Sequence, residues 1–119
     1  MITILVSMAL MGQVDDFKPL PESRVYIYRY SAQQKSNEDM TGKAMEERNR
    51  FYKNVAANRV NVDKSDLSLV CLMIREDLRK TEKLIKTPST PRNTKSIGRV
   101  HFKYACDALD VLEKQSPGK

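Results

Sequence analysis

Residues 65–86, SDLSLVCLMIREDLRKTEKLIK, constrain the fold more than any other stretch of the chain. Leu67, Val70, Cys71, Ile74, Leu78, Thr81 and Ile85 recur at helical spacing. LSLVCLMI taken alone would also suit a buried strand. REDLRKTEKLI, however, carries the helical pattern onward, and a strand does not become a helix without a turn residue between them. One continuous helix is expected, capped by Asp63 or Ser65 and apolar nearly all round at its start, hence central to the core. Glu76 with Lys80, and Glu82 with Lys86, add favourable i,i+4 pairs on its outer side.

A second helix is expected over residues 36–60, SNEDMTGKAMEERNRFYKNVAANRV. Ser36 and Asp39 resemble a capping box, and Gly42 weakens the first turns by about 1 kcal/mol relative to Ala. Met40, Ala44, Phe51 and Val55 fall near one face, broadened by Met45, Tyr52 and Ala56. The polar run EERNR interrupts that face, so this helix should lie at the surface. TPSTPRNTKS, residues 87–96, reads as a flexible basic loop by composition. In IGRVHFKYACDALDVLEK, Val100, Phe102 and Tyr104 alternate like a strand, while Ile97, Val100, Tyr104, Ala108 and Val111 or Leu112 fit a helix. The helical tail decides for a helix from about 96 to 114, with 115–119 frayed.

The N-terminal quarter reads differently. MITILVSMALMG has an apolar run but no Lys or Arg before it and a poor cleavage pattern, and it is too short to cross a bilayer as a helix. Its β-branched residues suit a strand over 2–10 rather than a signal peptide. Pro19 and Pro21 break the connection at 12–23. RVYIYRY, residues 24–30, reads as a second strand with Arg24, Tyr26, Tyr28 and Tyr30 on one face and Val25, Ile27 and Arg29 on the other. Four glycines in 119 residues are too few for a turn-rich all-β fold. The expected fold is thus a single, predominantly helical α+β domain, two short N-terminal strands packed against three helices. An all-α bundle with an N-terminal arm is the alternative.

Charge is the most informative functional feature. Lys83, Lys86, Arg92, Lys95, Arg99 and Lys103 follow one another with no acidic residue between Glu82 and Asp107. The formal net charge is +6, and the other fifteen basic residues are matched by fifteen acidic ones, so this segment carries the whole excess. Such a segment either keeps a protein soluble or contacts an anion, where Thr90, Asn93, Thr94 and Ser96 would add neutral donors. Thr87-Pro88 and Thr90-Pro91 also fit proline-directed phosphorylation, which would subtract from the charge. Tyr26, Tyr28 and Tyr30 read first as core or interface residues and second as a base-stacking platform, since RVYIYRY lacks the glycines of an RNA-recognition signature.

Catalytic patterns are sparse. His101 is the single histidine, and on a helix it points away from Cys106, five residues on. Two cysteines, Cys71 and Cys106, and one histidine lack zinc-site spacing, and the thiols read as buried in a reducing compartment. Asp15/Asp16, Glu46/Glu47 and Glu76/Asp77 are adjacent and diverge; Asp107 and Asp110 read as a solvated face. No Gly-rich phosphate loop is present. These readings point to a non-catalytic adaptor or regulatory protein, intracellular (cytoplasmic or nuclear) and without cofactor, metal or membrane span. Its basic 83–103 region would engage an acidic or polyanionic partner, an acidic protein surface or nucleic acid. A nucleic-acid-binding protein is the alternative and a small Cys/His enzyme a remote one; methionine-rich faces add a homodimer surface as a further reading.

Overall fold

The computed structural model describes residues 21–36 and 42–115, which form four helices: α1 (Glu22–Ser36), α2 (Gly42–Ala56), α3 (Lys64–Lys86) and α4 (Arg92–Lys114). Among the described residues there is no strand, so the α+β expectation is corrected to an all-helical fold. The strand expected at 2–10, the N-terminal arm and the Asp39 cap lie outside the described residues.

The decisive correction is RVYIYRY, which belongs to α1. Alternation and helical spacing agree at Tyr26 and Tyr30, which share a face in either conformation, and disagree at Ile27 and Tyr28. In the structure Ile27 is buried and Tyr28 exposed, the helical outcome. Pro21 opens the helix by accepting from the Arg24 and Val25 N–H groups, both at 3.0 Å. SAQQKS then carries it on with no breaker. The β-preference of tyrosine is a context effect that four packed helices override.

α2 ends in a Schellman motif. Asn58 takes a left-handed φ of 61°, its N–H donates to the Val55 carbonyl, and the Arg59 N–H reaches back to the Asn54 carbonyl at 2.8 Å. Asparagine, after glycine, is the residue that tolerates this conformation best. α3 starts one residue before its expected limit and stops where expected, at Lys86; Asp63 is its N-cap but makes no side-chain capping bond. The turn before α4 is short, because residues 92–96 are helical rather than part of the loop.

Directions follow from the contacts. Arg29–Glu47 and Tyr26–Phe51 set α1 antiparallel to α2. The Arg75–Glu113 ion pair and the approach of Gly98 to Ile85 set α3 antiparallel to α4. Arg24–Asp66 and Gln34–Glu76 make α1 parallel to α3, while Asn49–His101 and Lys53–Tyr104 make α2 parallel to α4. Two helical hairpins therefore pack with α2 and α3 on opposite corners, joined by a connection that crosses the diagonal. At Gly98 a Cβ would meet Ile85 Cγ1 at 3.2 Å, so glycine lets α3 and α4 close together at this end.

The core joins Tyr26, Ile27, Tyr30, Phe51, Tyr52, Val55, Leu67, Val70, Cys71, Ile74, Ala105, Ala108 and Leu112. Each large aliphatic side chain buried there contributes roughly 1.5–3 kcal/mol. On α4 the buried series is Gly98, His101, Ala105, Ala108 and Leu112: Ala108 and Leu112 are on the expected face, while its first half lies one residue on from Ile97, Val100 and Tyr104. Ile97 and Val100 consequently remain half exposed, and His101 is drawn inside.

Candidate functional site

Two polar constellations stand out, one inside the bundle and one on its surface. The inner one is centred on Asp77, which lies on the core side of α3 and is fully buried. Its Oδ2 accepts from the Tyr52 hydroxyl at 2.6 Å and faces His101 Nε2 at 2.8 Å; its Oδ1 accepts from Arg48 Nη1 at 3.2 Å. Arg48 reaches across the bundle diagonal and also donates from Nε and Nη2 to Gln33 Oε1, at 3.1 and 2.8 Å. Its guanidinium lies over the Tyr30 ring, 4.4 Å from the centroid. With Tyr52 donating to Asp77, Tyr26 donates to the Tyr52 oxygen at 2.9 Å. All four helices thus enter one hydrogen-bonded network.

His101 Nδ1 lies 2.5 Å from Asn49 Oδ1. Both ring nitrogens face oxygens, an arrangement completed by a doubly protonated ring, or by a neutral one with the Asn49 amide turned to donate. Burial alone pushes the Asp77 carboxyl up, yet it is held below the usual carboxylate range. The His101 hydrogen bond and charge, the Arg48 charge and the Tyr52 hydroxyl together outweigh burial. Burial, with the neighbouring Asp77 charge, holds the Tyr26 and Tyr52 phenols well above their ordinary value.

The centre of this network has no solvent face, although Tyr26, Gln33 and Arg48 at its edge line a groove. His101 and Asp77 are both 0 % exposed, and the groove of about 300 Å³ between α1 and α2 is lined by Tyr26, Tyr30, Arg48 and Phe51 but not by His101. Both members of the pair are hydrogen-bonded inside the bundle, as buried polar groups ordinarily are. Cys71 is buried, and Cys106, partly buried, has its thiol pushed up by burial. No group of His, Cys, Asp or Glu suited to a metal occurs among the described residues.

On the surface, Arg92, Lys95, Arg99 and Lys103 occupy positions i, i+3, i+7 and i+11 of α4, a single row on the side away from the core. Lys83 and Lys86 sit apart from that row, on the last turn of α3 across the Thr87–Pro91 turn. Lys86 is paired with Glu82 at 2.9 Å and Lys103 with Asp107 at 3.4 Å. Lys83, Arg92, Lys95 and Arg99 enter no ion pair among the described residues. Ile97 and Val100, 53 % and 51 % exposed, lie on a different side of α4, roughly a third of the way around its axis from that row.

The tyrosines divide. Tyr26 and Tyr30 are core residues at 5 % and 1 % exposure; Tyr28 alone faces solvent. They form no stacking platform, and Tyr26 instead stacks on Phe51 inside the bundle. No helix of the described residues is long and apolar enough to cross a membrane. No family model, curated protein or solved structure matches the chain.

Proposed function

We propose that the chain is a non-catalytic binding protein that docks an acidic protein partner on the outer face of α4. The observation that carries this reading is the row Arg92, Lys95 and Arg99: three cations on one helix face, none ion-paired among the described residues. Cations that only kept the protein soluble would serve as well scattered among acidic residues. An unneutralised row gives a positive potential that steers and orients an anionic surface. The burial of Tyr26 and Tyr30 removes the stacking element from the nucleic-acid reading.

Fluorescence anisotropy tests the reading. A labelled acidic peptide, a single-stranded RNA and a duplex DNA are each titrated at about 50 and 200 mM salt, ionic strengths at which exposed charges are screened to different degrees. The peptide should bind, weaken with salt, and be lost in an Arg92→Ala/Lys95→Ala/Arg99→Ala variant. Tighter binding of either nucleic acid than of the peptide would overturn the assignment of a protein partner.

A further inference from the structure

The cation row occupies only the first half of the outer side of α4. Further along, the same row carries carboxylates. Asp110 stands eighteen residues beyond Arg92 and Glu113 eighteen beyond Lys95, and eighteen residues make five whole turns of a helix. Arg92, Asp110 and Glu113 are exposed and Lys95 is partly so. Asp110, like the cations, enters no ion pair among the described residues, and Glu113 holds Arg75 through Oε2. We infer that the acidic surface docked here is the same face of a second copy of the chain, turned end for end. In that antiparallel arrangement a two-fold axis passes between Phe102 and Lys103. Arg92 then meets the partner's Glu113, and Lys95 meets the partner's Asp110. This rests on the docking reading above and names its partner.

Three features support it. The row is antisymmetric in charge, so its halves neutralise each other when two copies lie antiparallel, whereas a parallel pair sets like against like. Both pairings share one midpoint, so a single two-fold axis satisfies them together and makes each of them twice. Within one chain the complement is out of reach, since Arg92 and Asp110 lie roughly 27 Å apart along the axis. Near the axis the face is less charged: Phe102 and Cys106 are partly buried, and Lys103 is already held by Asp107 at 3.4 Å. One helix pair buries less than the roughly 1,200 Å² of standard interfaces, so the dimer is weak and loosened by salt.

Sedimentation velocity of the full chain at about 50 and 200 mM salt reads the dimer directly. The wild type should show a concentration-dependent dimer that weakens at the higher salt. Lys95→Glu and Asp110→Lys should each weaken it at least about tenfold, because each sets like charges opposite one another twice. An equimolar mixture of the two variants should recover the dimer, since in the mixed pair every exchanged charge meets its opposite. Recovery also shows that both variants are folded. A dimer that neither variant weakens, or that the mixture fails to recover, overturns the inference. A wild type that stays monomeric overturns it too. The labelled acidic peptide then decides the docking reading, on Asp110→Lys, whose cation row is intact. Peptide binding leaves that reading standing, and no binding overturns both.

Discussion

His101 Nε2 lies 2.8 Å from Asp77 Oδ2 where both side chains are fully buried, and this pair ties α4 to α3 at the centre of the bundle. Arg48 and Tyr52 converge on the same carboxylate from α2, so the diagonal of the fold is bridged by polar groups rather than by aliphatic packing. A buried charge cluster of this kind is demanding, because each member depends on the others.

Removing the carboxylate should therefore be costly. Asp77→Ala is expected to lower stability by about 3–5 kcal/mol, since it takes from the buried Arg48 guanidinium its carboxylate partner and from Tyr52 and His101 their shared acceptor. Urea unfolding followed by circular dichroism measures it, and a loss below about 1 kcal/mol would show that Arg48 finds another partner or reaches water.

The same carboxylate sets an acid limit. Its folded value lies below its unfolded one, so its contribution is fully present above the ordinary carboxylate range near pH ~4 and fades as pH falls further, through the depressed folded value. Stability measured against pH should show this decline in the wild type. In Asp77→Asn the part of the decline due to this group should be missing, and parallel curves would remove Asp77 from the acid response.

Arg92 opens α4 with a cation at the positive end of the helix dipole, and the first turn contains no acidic residue to offset it. Arg92→Glu should raise stability by about 0.3–1 kcal/mol while weakening acidic-peptide binding. Opposite signs for stability and binding are what a residue held for recognition produces. A substitution that leaves binding unchanged would remove Arg92 from the docking row.

Much of the architecture was legible in the sequence. α3 was readable almost to the residue because its apolar spacing runs unbroken from Leu67 to the turn before Pro88. RVYIYRY was misread because tyrosines at 26 and 30 satisfy both periods, and Tyr28 and Ile27 alone distinguish them. The polar core is harder to read: Arg48 falls in the polar run EERNR, Asp77 was weighed only against Glu76 and His101 only against cysteine, so none was placed in the core. Yet each sits within an apolar stripe: Ala44, Met45, Phe51, Tyr52 and Val55 flank Arg48; Val70, Ile74 and Thr81 flank Asp77; Gly98, Ala105 and Ala108 flank His101. A base, an acid and a histidine on three different core stripes were the available signal. The basic segment was legible as charge, but its division into a row on α4 and a separate pair on α3 needed the start of α4 at Arg92.

The most direct test of the docking surface is an amide chemical-shift titration of the ¹⁵N-labelled full chain with an acidic peptide. Shifts are expected to concentrate around Arg92, Lys95, Arg99 and Lys103, with the α1–α2 groove unchanged. Shifts centred instead on the groove between Tyr26 and Phe51, or spread evenly over all basic residues, would contradict the docking reading.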